Sequence, residues 1–220
     1  AEPLGEDALD RRVDVLGVGG PGERRGGELR VDPLEAADQG LAVDAQGRAI
    51  ATGSTASSDF PTTPGALRRT RHGGGNDGFV FVLAANGGSL TASTYLGGNG
   101  TEEPSGITVD SVGTIYVGGN TTSTDWPVTT DAFQGAFQGG VSDAFLTVLP
   151  RSLDRLIYST YLGGAGSSTL GERGRGVWLT TKGVATSGDT DSTDFPTSAN
   201  AYRRTYAGGE KDAFVSIFTR

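Results

Sequence analysis

Apolar residues in this chain come in short runs, some strictly alternating with polar ones, and glycine, asparagine and aspartate separate the runs. Ile107, Val109, Ile115 and Val117 fall at alternating positions, as strands with two distinct faces require. Leu41 to Asp44, Ala49 to Gly53, Phe79 to Leu83 and Leu90 to Leu96 are rich in β-branched and aromatic residues and bounded by turn formers. They predict four strands in succession. No helical period extends beyond one turn, near residues 64–69.

The same succession is written three times. "GLAVDAQGRAIATG" from Gly40 answers to "GITVDSVGTIYVGG" from Gly106 and, more weakly, to "GVWLTTKGVATSG" from Gly176. "SSDFPTTPGAL", "STDWPVTTDAF" and "STDFPTSANAY" follow from Ser57, Ser123 and Ser192, and "DGFVFVL", "DAFLTVL" and "DAFVSIF" from Asp77, Asp143 and Asp212. "STYLGG" closes the first two units at Ser93 and Ser159. It reads as a last strand and its exit turn, with Gly97-Gly98 and Gly163-Gly164 expected to supply positive φ.

A four-stranded unit in tandem suits the blades of a β-propeller. The predicted fold is all-β, with three tandem four-stranded repeats of about 66 residues forming an incomplete ring in a single chain, since propellers use about 4 to 8 blades. The expected divisions are an N-terminal strand and variable connection over residues 1–36, repeats over 37–98 and 99–164, and a third over 165–220 that lacks its last strand. "LDRRVDVLGVGG" from Leu9 lines up on "LDRLIYSTYLGG" from Leu153. Val13 to Gly20 is therefore expected to pair beside Phe214 to Phe218, within one chain or from a neighbouring one, covering an edge that would otherwise invite association; alternatively it completes a degenerate blade before Gly40 and leaves that edge to a different protein.

From about Ala37 to Arg220 the chain resembles the SBBP repeat family, through the G-[IL]-x-V-D strand, the D-F-P loop, the D-A-F-V strand and the S-T-Y-L-G-G strand. "GVWLT" at 176–180 departs from this pattern by lacking the aspartate. The resemblance implies propeller blades in a bacterial, extracytoplasmic protein of the periplasm or cell surface.

Composition narrows the chemistry. Glycine accounts for 37 of 220 residues with no collagen period, in keeping with many turns. The net charge of −8 argues against a nucleic-acid backbone or an anionic membrane as partner. Cysteine and methionine are absent, which removes disulfides, thiol nucleophiles and Cys-type zinc sites.

The D-F-P loops, of roughly 23 residues, exceed the ordinary connection length of about 15. Asp59, Phe60, Asp125, Trp126, Asp194 and Phe195 are the candidate ligand-binding residues. Their rings are read as pegs with the acids bonding nearby turn amides, or alternatively as sugar-stacking platforms. Asp189, Asp191 and Asp194 in "GDTDSTDFP" are the candidate calcium ligands, calcium being the one cofactor considered. His72, the single histidine, stands in a glycine-rich turn with no catalytic motif beside it. Arg68, Arg69, Arg71, Arg203 and Arg204 are read as solvated. No enzymatic activity is expected. The expected function is a structural or accessory subunit that binds a protein partner or joins a larger assembly, homo-oligomers included. The alternative is a lectin that binds glycan through its repeated loops.

Overall fold

The computed structural model describes residues 36–166 and 170–219. Eleven strands and no helix occupy them. β1 (Ala36–Val43), β2 (Ala49–Thr55), β3 (Asp77–Leu83) and β4 (Leu90–Leu96) form one antiparallel sheet in sequence order. β5 (Glu102–Val109), β6 (Ile115–Thr121), β7 (Asp143–Leu149) and β8 (Tyr158–Leu162) form a second. β9 (Arg173–Thr180), β10 (Gly183–Thr190) and β11 (Asp212–Thr219) form a third, of three strands among the described residues. The all-β class and the three sheets thus match the reading of the sequence. The expected strand over Val13 to Gly20 lies outside the described residues.

The hairpin between the first two strands of each unit has a local cause. Asp44 accepts hydrogen bonds from the amides of Gln46 and Arg48, and Asp110 from those of Val112 and Thr114. An aspartate folding back onto its own turn is an Asx-type device. In the third unit Thr180 takes over, its hydroxyl accepting from Lys182 N–H and donating to the Gly183 carbonyl. The missing aspartate of "GVWLT" is therefore replaced in kind.

The sheets stack face to face, with β5 crossing β1, β2 and β3, and β9 crossing β5, β6 and β7. Ile50, Val80, Val82 and Leu96 of the first sheet pack with Ile115, Val117, Phe145 and Leu149 of the second. Tyr116, Leu146 and Val148 of the second pack with Val177 and Val184 of the third. Phe145 and Leu146 are neighbours in sequence but point to opposite faces, so β7 is buried throughout. Burial on both faces contributes about 25 cal/mol per Å² of apolar area. β5 and β9 approach closely because Gly106 has no side chain, and a Cβ there would stand 2.9 Å from Val177 N.

The third sheet has a different outer face. Val215 is 73% and Ile217 51% exposed, where Leu146 and Val148 of β7 are covered. Its outer strand, β11, is hydrogen-bonded only on the β10 side among the described residues.

Candidate functional site at the junctions between sheets

The long D-F-P loops fold back along the fourth strand of their own sheet. Thr63 N–H donates to the Ser93 carbonyl and Tyr95 N–H to the Arg68 carbonyl, both at 3.1 Å. In the second unit Thr129 N–H donates to Ser159 O and Tyr161 N–H to Gln134 O, again at 3.1 Å. The fourth strand thus runs between the third strand on one side and the loop on the other.

Each side chain of Ser-Thr-Tyr fastens that loop. Ser93 Oγ donates to the Pro61 carbonyl at 2.6 Å, and Ser159 Oγ accepts from Trp126 Nε1 at 3.1 Å. Thr94 and Thr160 hydroxyls accept from Arg68 and Gln134 N–H. Tyr95 Oη accepts from Phe60 N–H at 3.0 Å and donates to the Ser57 carbonyl at 2.8 Å. Tyr161 Oη accepts from Trp126 N–H and donates to the Ser123 carbonyl, both at 2.8 Å. Both tyrosines are buried, and burial pushes the Tyr161 hydroxyl up to about 12.

Residues 93–127 match the SBBP beta-propeller repeat. The matched span runs from this strand through the first two strands of the next sheet to the D-W-P corner, so the match crosses a sheet junction. Among curated proteins none matches the chain.

At this junction the glycine pair has a role other than the one expected from the sequence. Gly97, Gly98, Gly163 and Gly164 are not among the residues with positive φ. They are small because carboxylates press on them. A Cβ on Gly97 would stand 2.5 Å from Glu102 Oε2 and 3.1 Å from Asp77 Oδ2, and one on Gly98 2.5 Å from Asp125 Oδ1. At the second junction Asp143 crowds Gly163, and Asp194 and Ser192 crowd Gly164.

Each junction therefore holds a fully buried aspartate and glutamate, Asp77 with Glu102 and Asp143 with Glu172. Glu102 Oε1 accepts from the hydroxyls of Thr121 (2.8 Å) and Ser123, and Glu172 Oε1 from those of Thr190 (2.8 Å) and Ser192. Asp77 Oδ2 accepts from His72 N–H and Asp143 Oδ2 from Gln138 N–H. Asp77 Oδ1, Asp143 Oδ1 and Glu172 Oε2 are buried without a hydrogen bond among the described residues. Burial raises all four carboxyls, Asp143 to about 7 with Glu172 adding repulsion. Proton uptake by one member of a pair removes both the repulsion and a buried charge. These glutamates went unread in the sequence because Glu102 follows Gly98 by four residues while Glu172 follows Gly164 by eight.

The candidate ligand-binding residues separate into two groups. Phe60 and Trp126 are buried and Phe195 half-buried. Their rings lie 4.7, 4.2 and 4.6 Å from Phe79, Phe145 and Phe214 respectively. Phe60 and Trp126 are buried and pack as pegs against the third strand of their own sheet. Asp59, Asp125 and Asp194 are exposed. Asp59 accepts from the Ser57 hydroxyl. Asp125 accepts from Asn99 N–H at 2.7 Å and Asp194 from Ala165 N–H at 2.8 Å. Those amides follow the Gly-Gly turn of the preceding unit, so the two acids tie successive units rather than their own turns.

The candidate calcium ligands are dispersed. Asp189 pairs with Lys211 Nζ at 2.5 Å and Arg175 Nε at 3.0 Å. Asp191 accepts from Gly171 N–H, and Asp194 is committed to Ala165. Two cations on Asp189 oppose a third, and among the described residues no group of three or more potential ligands gathers. His72 Nε2 lies 3.2 Å from Asp125 Oδ2, both half-exposed, a bridge between the loops of adjacent units.

Proposed function

We propose that the chain is a noncatalytic, extracytoplasmic β-propeller module whose three sheets are blades of an incomplete ring, and that it serves as a structural or accessory subunit binding another protein. The observation that carries this reading is the third sheet, whose face shows Val215 and Ile217 to solvent and whose edge strand has one free side among the described residues. Exposed apolar surface beside an open edge is a mark of protein association. The buried carboxylates speak for a folding role, because they recur at both junctions and are fully buried.

Photo-crosslinking tests the reading. Benzoylphenylalanine placed at Val215 or Ile217 is expected to give covalent adducts with a second polypeptide, whereas the same residue at Val112, 79% exposed in a hairpin turn, gives none. A chain that stays monomeric and adduct-free at Val215 and Ile217 would overturn it.

A further inference from the structure

The two sheet junctions are built alike and charged differently. At each, the buried aspartate accepts from a loop amide, His72 or Gln138, and the buried glutamate accepts from one threonine and one serine hydroxyl. At the first junction burial raises the Asp77 carboxyl, and the His72 amide and the side chains of Arg71, Arg68 and His72 act against it. The equivalent positions of the second unit are Phe137, Gln134 and Gln138. Gln134 N–H bonds Thr160 as Arg68 N–H bonds Thr94, and Phe137 meets Tyr161 edge-on at 6.1 Å. None of the three carries charge. At Asp143 only the Gln138 amide therefore acts against burial, while Glu172 adds repulsion.

Asp143 and Glu172 are held side by side. Glu172 N–H donates to Ser142 O and Ser142 Oγ donates to Glu172 O, both at 2.8 Å, which fixes the glutamate beside the residue preceding Asp143. Both side chains are fully buried. Asp143 Oδ1 faces Gly163 across a space that a Cβ would fill. Asp143 Oδ1 and Glu172 Oε2 are both without a hydrogen bond among the described residues, whereas at the first junction Glu102 Oε2 accepts from Gly98 N–H at 3.2 Å. Buried Asp191 adds its repulsion on Glu172. Lys211 Nζ, which reaches the Gly171 carbonyl, is paired with Asp189 instead. Buried charges are paired or coordinate metals.

We propose that the junction between the second and third sheets is a structural calcium site, with Asp143 Oδ1 and Glu172 Oε2 as its two charged ligands. The donor set decides the class of ion: it is oxygen throughout, with no thiolate or imidazole, and suits a hard cation. A proton neutralises one carboxylate of the pair, whereas a divalent ion neutralises both. Calcium fits better than magnesium, because it accepts an irregular shell filled out by neutral oxygens, while magnesium demands a near-ideal octahedron. Ser142, Thr190 and Ser192 border the pair and carry such oxygens. The site is separate from Asp189, whose charge is met by Lys211 and Arg175.

The intact chain, stripped of metal with a chelator and dialysed, is titrated with calcium chloride at neutral pH by isothermal calorimetry. Saturable binding is expected with a dissociation constant below about 10⁻³ M, the weak end for extracellular calcium modules. The melting midpoint should rise by at least about 5 °C with calcium at a hundredfold that constant. Asp143→Asn keeps the shape and removes the charge, and should weaken binding at least about tenfold, as loss of a metal-site carboxylate does. Gln134→Arg, which gives the second junction the arginine of the first, should weaken it as well and carries the test if Asp143→Asn does not fold. Asp189→Asn should leave the affinity unchanged. No saturable heat with calcium up to about 10 mM, ten times that weak end, would overturn the proposal. So would an affinity unchanged by Asp143→Asn or, where that variant does not fold, by Gln134→Arg. Binding lost with Asp189→Asn would place the ion elsewhere and overturn it too.

Discussion

Tyr161 Oη and Trp126 N–H are joined at 2.8 Å across 35 residues of sequence, and Tyr95 Oη and Phe60 N–H make the same bond at 3.0 Å. Replacing Tyr161 by phenylalanine keeps the ring and removes the hydroxyl, leaving Trp126 N–H and the Ser123 carbonyl buried without it. A loss of about 1–3 kcal/mol is expected, measured by equilibrium urea unfolding with Trp126 fluorescence as one probe. A change below about 0.5 kcal/mol would mean that water replaces the hydroxyl and that the tyrosine is not a lock.

The glycine pair should resist even alanine. Gly97→Ala would place a methyl 2.5 Å from Glu102 Oε2 and 3.0 Å from Asp77 Cγ, both on fully buried residues, and overpacking of this kind costs about 1–3 kcal/mol. Gly135→Ala meets nothing within 4 Å and has no positive φ, so it should be neutral or slightly stabilising. Thermal melts of the two variants check the contrast, and equal melts would remove the close-approach explanation.

Strand positions were legible in the sequence because alternation and turn residues are local properties. β4 at Leu90–Leu96 coincides with the run read there, and β2 and β3 differ from theirs only at their ends. The reason for Gly97-Gly98 was not legible, because it lies in acids contributed by another strand and another unit. Glu102 and Glu172 escaped for a related reason: the longer connection after Gly164 breaks their spacing, and only the stacked sheets show them as equivalents. For the D-F-P corners, a buried peg and an exposed platform use the same residues, and only packing against Phe79 and Phe145 distinguishes them.

Stability should fall as pH rises toward neutrality. The folded pKa of Asp143 is raised to about 7 from 3.8, chiefly by burial, so the native chain holds a proton that the unfolded chain releases above about pH 4. Its contribution is therefore complete below about pH 4, is lost progressively as pH rises to about 7, and levels off beyond, with an upper bound of about 4 kcal/mol. Asp77, Glu102 and Glu172 are shifted in the same direction. Asp143→Asn should flatten the dependence between pH 5 and pH 8 in urea titrations. A slope unchanged by that substitution would place the linkage elsewhere.

The central claim is that three equivalent sheets are stacked and that β11 of the third, among the described residues, is paired on one side alone. Backbone hydrogen exchange on the free chain tests it most directly, comparing Phe145–Val148 of β7 with Phe214–Ile217 of β11. β7 is paired on both sides and buried throughout, whereas β11 is paired with β10 alone among the described residues. Outward-facing amides of β11 should exchange at least about a hundredfold faster than those of β7, as open edges do relative to core strands. Equal protection of the two strands would show that the edge is already filled in the free chain and would contradict the account.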